Sequence, residues 1–317
     1  MNWIGGLADA SSRACPLPVI CGPTASGKSA LALHLAEHVG ASIISADSRQ
    51  VYRGFDIGTA KPDAVEQSRV PHYGIDVAEP DERYTAADWA ESVPRWNGVI
   101  ESEGRKPLLV GGTGFYLRAL FEPLFDEPDI DPERRTSLRD FLSAFPAAEV
   151  RRWCEVIDPS RASLGRAQHE RALEVALITG RRISDLHLER SRAPVLTARY
   201  LLLDPGPSLA TAIETRVERM LASGWLDEVR SLAERVDPMA RAWTATGYDV
   251  IRRVVTGELT LDAARDVVVI ATRQYAKRQR TWFRHQLAGE SVLRIDPGAP
   301  DVFERAVEWF HGEERDR

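Results

Sequence analysis

The sequence predicts an α/β fold: a mostly parallel sheet core with helices on both faces, a helical insertion domain and C-terminal helices. Two observations carry this reading. Apolar β-type runs recur at 19–21, 42–46, 74–77, 108–110 and 200–203, with helical patterns such as 29–39 and 85–103 between them. From about 129 to 194 no strand pattern occurs. Helical periodicity takes its place, as in Leu138, Phe141, Leu142 and Phe145 or Ala172, Val175 and Ala176, punctuated by Pro128, Pro132, Pro159 and Pro194. The expected division is a first part of the core at 17–128, an insertion at 129–196, and core completion with basic C-terminal helices at 197–290. Residues 1–16 and 291–317 read as terminal extensions.

The first run, 18–21, leads into Gly-Pro-Thr-Ala-Ser-Gly-Lys-Ser at 22–29, and an amphipathic helix pattern follows at 30–36. Strand, glycine loop and helix start in this order form a phosphate cradle. Gly22 and Gly27 let the backbone turn its N–H groups inward, the helix end contributes partial positive charge, and Lys28 adds a full one. Ser29 completes the G-x-x-x-x-G-K-[ST] pattern of a P-loop and offers a hydroxyl to Mg²⁺. This loop predicts a polyphosphate site in a P-loop NTPase-like core without saying what happens to the phosphates.

The second run ends at Asp47. In a parallel sheet the residues just past strand C-termini line the ligand crevice, so this carboxylate stands ready to bind Mg²⁺, orient a hydroxyl, accept a proton or cap the chain. The third run carries Asp76, a candidate Mg²⁺-anchoring acid. The fourth leads into Gly111-Gly112-Thr113-Gly114, where a second close backbone approach would place the Thr113 hydroxyl in the crevice. After the fifth run the chain reads as helices at about 209–236, 247–255 and 261–286. The last carries Arg273, Lys277, Arg278, Arg280 and Arg284 with no acid between Arg273 and His285. It is either a solvated face or a stripe for an anionic partner. Its Ile270, Tyr275 and Trp282 are expected to pack inward.

Composition narrows the classes. Hydrophobic content of 44% and charged content of 28% describe an ordinary globular chain, and the absence of a long apolar run argues against a membrane span. The first sixteen residues do not read as a signal peptide. Cys15, Cys21 and Cys154 form no metal or disulfide pattern and suit a reducing cytoplasm. His169-Glu170 has no second histidine at zinc spacing. A net charge of −6 argues against general nucleic-acid affinity but allows a local basic face. Of 41 basic residues only four are lysines, Lys28, Lys61, Lys106 and Lys277, so each lysine is more informative than an arginine; only Lys106 looks like ordinary surface. Two classes fit these residues, a small-molecule kinase using ATP and a transferase whose leaving group is diphosphate. A regulatory NTPase switch fits less well. An ordinary helical lid would explain the insertion in a kinase; the long basic C-terminal helix fits a large anionic acceptor better.

Taken together the motifs resemble the bacterial tRNA dimethylallyltransferase family, the tRNA isopentenyltransferases. The resemblance rests on GPTASGKS at 22–29, SADSRQVYRGFDIGTAKP at 45–62, PHYGIDV at 71–77, VGGTGFYLRAL at 110–120, RALEV at 171–175, TGRRIS at 179–184, ATGYD at 245–249 and TRQYAKRQRTWFR at 272–284. It spans about 18–284. It implies a channel that dimethylallyl diphosphate enters at the phosphate loop and the tRNA base from the other end. Gly22, Thr24, Ala25, Ser26, Gly27, Lys28 and Ser29 would hold the diphosphate with Mg²⁺. Asp47 would accept the N6 proton of an anticodon-loop adenosine, and Thr113 would hydrogen-bond the bridging oxygen. Asp47, Ser48, Arg49, Gln50, Arg135, Gln168, His169 and Arg171 would touch the tRNA anticodon stem-loop, joined by Lys277 and Arg280 of the basic helix. Gln168 stands where the family commonly has arginine, and Thr244 replaces a frequent Gln or Arg. A cytoplasmic monomer is expected. An adenylate prenyltransferase that makes a cytokinin is the neighbouring alternative.

Overall fold

The computed structural model describes residues 16–122, 130–189, 196–287 and 292–312. Cys15, Pro128, Asp129 and Pro194, with nearly all of the expected N-terminal extension, lie outside the described residues. The described chain divides into two compact units, 122–194 and the remainder; the boundary expected at 128/129 falls in the outside stretch.

The larger unit is built on six parallel strands: β1 Leu17–Cys21, β2 Ala41–Ser45, β3 His72–Tyr73, β4 Lys106–Gly111, β5 Ala198–Leu203 and β6 Val292–Ile295. Their order is β3-β2-β4-β1-β5-β6, and every pairing is parallel. All five residues of β2 and four of β1 are buried, as strands covered on both faces must be. One face packs Leu35 of helix α1 (Lys28–Val39) with Ile20, Leu108, Leu201 and Trp309. Helix α3 (Ala86–Ser102) is started by a Thr85–Asp88 capping box, a device that contributes about 1 kcal/mol. It is pinned to the end of β2 by Trp89 Nε1, which donates to Ser45 O at 2.8 Å.

Three expectations are corrected. The third strand is His72–Tyr73, not 74–77, because Gly74 (φ 75°) and Asp76 (φ 52°) take left-handed backbone that no strand tolerates. Asp76 and Val77 donate their N–H groups to Gln50 O and Val51 O instead, at 3.1 and 2.9 Å. The helix expected at 209–236 breaks at left-handed Gly224 (φ 92°) into α9 (Leu209–Ala222) and α10 (Trp225–Ala233). Residues 292–311 are no loose extension: β6 supplies the sixth strand, and α13 (Val302–His311) buries Ala306, Trp309 and Phe310 in the core.

The remaining helices of this unit are α2 (Ala64–Arg69), α4 (Gly114–Phe121), α11 (Tyr248–Val255) and α12 (Leu261–Gln286). The smaller unit is helical, with α5 (Pro132–Ser143), α6 (Ala147–Ile157), α7 (Arg166–Thr179) and α8 (Ile183–Glu189). Its core gathers Cys154, Ala172, Val175 and Leu186, and beside it Leu142, Val150 and Leu173. Pro132 occupies the first turn of α5, where its missing N–H costs nothing, behind Asp131 as N-cap.

Candidate active site

The C-terminal ends of β1, β2 and β4 open on a cavity of about 680 Å³. The phosphate loop forms its floor. Gly27 (φ 81°) and Ala25 (φ 62°) hold left-handed backbone, and for Ala25 this costs roughly 1–2 kcal/mol. Strain of that size persists where surrounding structure over-determines it, as at ligand sites. Helix α1 begins at Lys28 with no side-chain cap and no acid in its first turn, so its leading N–H groups remain available to an anion. The buried Ser26 Oγ has no protein partner. These are the features a diphosphate would satisfy.

Charge around the cavity agrees. Lys28, Arg216 and Arg219 line it together with Asp47. Burial, with Arg216 beside it, pushes Lys28 down to about 8, against the pull of Asp47. Burial also lowers Arg216, again opposed by Asp47. Arg216 and Arg219 come from α9, and the sequence reading missed both. They sit among other arginines on an amphipathic helix, and nothing in the helical period says which face meets the cavity.

The two glycine loops are joined. Asp47 Oδ1 accepts from Arg49 N at 2.9 Å, and Ser48 N donates to Thr113 Oγ1 at 3.2 Å. Thr113 N donates to Ala46 O at 3.3 Å, and a Cβ at Gly111 would stand 2.2 Å from that oxygen. Thr113 does not itself line the cavity; Tyr275 does, and its phenol feels the nearby Thr113 hydroxyl. Burial and nearby Asp47 push the Tyr275 phenol up to about 12, so it remains protonated. Gln279, one turn further along α12, also lines the cavity and bonds both loops. The sequence reading gave it no role.

The GTAKP segment forms the cavity's side wall. Lys61 is buried, with Nζ at 2.7 Å from Tyr52 O and 2.6 Å from both Asp56 and Asp76. Asp76 therefore serves this anchor and is no Mg²⁺ ligand here. Gln50 is held on both ends of its amide: Oε1 accepts from Ser45 Oγ, and Nε2 donates to Thr59 O and Ala60 O. Arg49 donates to Thr244 Oγ1 at 2.7 Å, which gives that unusual threonine a partner. Tyr248 and Glu228 clamp the same segment from behind. Tyr248 donates to Glu228 at 2.6 Å and accepts from Gly58 N, while Glu228 accepts from Asp56 N and Ile57 N.

Among the described residues no cluster of three or more His, Cys, Asp or Glu could hold a metal. Ser29 and Asp47 both line the cavity, and this small oxygen set fits an ion that keeps water and substrate phosphate as its main ligands, as Mg²⁺ does.

The expected basic stripe is partly neutralised. A second groove of about 460 Å³ lies between the start of α9 and α12, lined by Arg273, Lys277, Arg280 and Arg284. Arg273 pairs with Glu214 and Arg280 with Asp204, acids that the α12 sequence cannot reveal. Lys277 is exposed. Tyr275 packs as expected and Trp282 lies against Gly114, but Ile270 is 54% exposed, contrary to expectation, because α12 turns that face away from the core.

In the helical unit, Arg135, Arg139 and Arg171 all bond the buried carboxylate of Glu174. Three cations thus converge on one buried anion. Gln168 is exposed at the start of α7. His169, expected to touch tRNA, is 4% exposed with Nε2 against Ala162 O at 3.2 Å, because its place on α7 turns it into the unit.

A parallel sheet whose central strand leads through a glycine loop into an uncapped helix, with a carboxylate at the next strand end, defines an α/β protein with a P-loop-like fold. The IPP transferase family model matches residues 50–286, and the isopentenyl transferase model matches 16–71. A tRNA dimethylallyltransferase of Geobacter metallireducens is 42% identical over 302 residues, covering 93% of this chain and 97% of its own. That of Acaryochloris marina is 40% identical, with 84% and 89% covered. The crystal structure of the full-length tRNA isopentenylpyrophosphate transferase of Bacillus halodurans superposes with a TM-score of 0.65 at 32% identity, covering 94% of this chain and 96% of that one. The chain belongs to the IPP transferase family.

Proposed function

We propose that the protein transfers a dimethylallyl group from dimethylallyl diphosphate to the N6 amino group of the adenosine 3′ of the anticodon in tRNA, releasing diphosphate. One observation carries the reading: the uncapped start of α1 with Lys28 and the carboxylate of Asp47 open on the same cavity. The first feature stabilises a departing anion and the second accepts a proton. The relatives named tRNA dimethylallyltransferase support the same chemistry.

Nitrogen N6 attacks the allylic C1, the C1–O bond breaks, and its electron pair leaves with diphosphate. Asp47 takes the N6 proton. Lys28, Arg216, Ser26 and the first N–H groups of α1 hold the phosphate oxygens and the charge that grows there. Thr113 accepts a hydrogen bond from Ser48 N just outside the cavity lining, and would turn its own proton to the bridging oxygen once substrate is bound. Mg²⁺, held by Ser29 and substrate oxygens, would supply further neutralisation of the diphosphate. The target base leaves its stack to reach the cavity. Gln168 and the arginines on Glu174, Arg135 and Arg171, would meet the anticodon stem-loop. Arg49 and Ser48 at the cavity edge and Lys277 and Arg280 of α12 would complete the tRNA surface.

No helix among the described residues is long and apolar enough to cross a membrane. We take the protein to act as a monomer in the cytoplasm, where the buried thiols Cys21 and Cys154 would stay reduced.

The test is incubation with Mg²⁺, C1-labelled dimethylallyl diphosphate and either tRNA or AMP. Label in tRNA alone is expected. Label in AMP alone would make the protein an adenylate prenyltransferase, and label in neither, with phosphate moving from ATP to an acceptor, would make it a kinase.

A further inference from the structure

Helix α12 reaches the cavity with two side chains one turn apart, and the second of them has no part in the chemistry above. Gln279 is buried, 7% exposed, and its amide is used at both ends. Oε1 accepts from the backbone N–H of Thr24 at 2.8 Å, in the phosphate loop after β1. Nε2 donates to Gly112 O at 2.8 Å, in the glycine loop after β4. Strands β1 and β4 are neighbours in the sheet, but beyond their ends the loops are free to diverge. The fit is close: a Cβ at Gly112 would stand 2.5 Å from Gln279 Nε2, so that glycine admits the bridge. One turn back, Tyr275 lies near Thr113, whose hydroxyl accepts from Ser48 N beside Asp47. The floor that takes the diphosphate and the wall that carries Asp47 and Thr113 are thus tied to one rigid helix.

We propose that Gln279 is a positioning residue for the transfer reaction, setting the distance between the phosphate loop and the Thr113–Asp47 side. The inference rests on the prenyl-transfer reading. Only a neutral amide does this work, because the bridge needs an acceptor for one backbone N–H and a donor for one backbone carbonyl on the same short side chain. A carboxylate offers the acceptor without the donor, and a thioether effectively offers neither. Gln279 touches neither reacting atom. Its effect is expected in turnover, since a displacement near 1 Å between reacting groups can cost on the order of 10²-fold.

The experiment compares native protein with Gln279→Glu and Gln279→Met in steady-state prenylation of tRNA and in diphosphate binding, from pH 6 to 8.5. At pH 8, kcat should fall roughly 10–100-fold in both variants, while KM for dimethylallyl diphosphate stays within about threefold. On acidification the kcat of Gln279→Glu relative to native should recover several-fold, because a protonated carboxyl has the amide's shape and regains its donor. Gln279→Met should show no recovery. Measuring native protein at each pH removes the contribution of the ionisable groups Lys28, Asp47, Glu66, His72, Arg216 and Tyr275, which line the same cavity. Native kcat in both variants, equal acid recovery in both, or a loss matched by the unfolded fraction in circular dichroism would overturn the proposal. Failure of the native protein to prenylate tRNA would overturn the functional reading and this inference with it. Native transfer alongside unperturbed variants would overturn the inference alone.

Discussion

The backbone N–H of Ser48 donates to Thr113 Oγ1 over 3.2 Å, so one hydroxyl links the end of β2 to the end of β4. That bond is accepted by the oxygen and leaves the Thr113 proton for a substrate oxygen. Thr113→Ser keeps both functions and should retain kcat within about tenfold. Thr113→Val keeps the shape and loses both, and should lower kcat by roughly 10²–10³, the range for removing one donor from a developing oxyanion. Steady-state kinetics on the two variants check this; equal activity would remove the hydroxyl from the mechanism.

Asp47 is held by the backbone N–H of Arg49 and faces two cations, Lys28 and Arg216. Asp47→Ala should lower turnover by roughly 10²–10⁴, the usual span for a general base, with diphosphate affinity close to native. Single-turnover rates and equilibrium binding on the same variant separate the two quantities. Near-native turnover would assign the proton elsewhere.

Lys28 gives the site a pH signature. Burial holds it at about 8 in the free protein, so its charge is lost as pH rises through 8, and affinity for inorganic diphosphate should fall between pH 8 and 10. Bound diphosphate favours the charged amine, so binding near pH 8.5 should take up protons, visible as a dependence of the calorimetric heat on buffer ionisation enthalpy. The stability sign is opposite. The folded-state value lies below the unfolded one, so the unfolded chain binds more protons between them. Lys28 then costs stability below about pH 8, and that cost is relieved as pH rises toward its ordinary value. Lys28→Met should abolish the proton uptake.

Much of this was legible in the sequence because local chemistry wrote it there. The phosphate loop announces itself through glycines and Lys28 between a strand and a helix, and α12 follows its apolar period to the same ends, 261 and 286. What stayed hidden depends on partners far along the chain. Strand β6 is only four residues, too short for a clear period, and becomes a strand because β5 offers a free edge. Gln279 and Arg216 are polar residues on helices, and only the tertiary fold says that they face the cavity. Lys61 stood out in the sequence as one of four lysines, but only the fold shows that its buried amine, beside Asp56 and Asp76, is an anchor. The acids that quiet Arg273 and Arg280 come from Glu214 and Asp204, outside the stripe that the sequence displays.

Those pairings divide the α12 face. Lys277 has no acid partner among the described residues, whereas Arg280 bonds Asp204 at 3.2 Å. Lys277→Ala should weaken tRNA binding and reduce the magnitude of the slope of log K against log salt by about 0.7–0.9, one released counterion. Arg280→Ala, which loses a charge already half compensated, should change the slope less. Filter binding from 50 to 300 mM salt reads both. Equal slopes in native protein and Lys277→Ala would make the face scaffold.

On the proposed reaction the loop at 22–29 holds the leaving group of a carbon transfer, not a phosphoryl donor. Dimethylallyl diphosphate carrying ¹⁴C at C1 and ³²P in the terminal phosphate tests it in one incubation with tRNA and Mg²⁺. The expected result is ¹⁴C in tRNA and all released ³²P in free inorganic diphosphate, in equal amounts. Recovery of ³²P in the acceptor, or of ¹⁴C as dimethylallyl monophosphate, would contradict it.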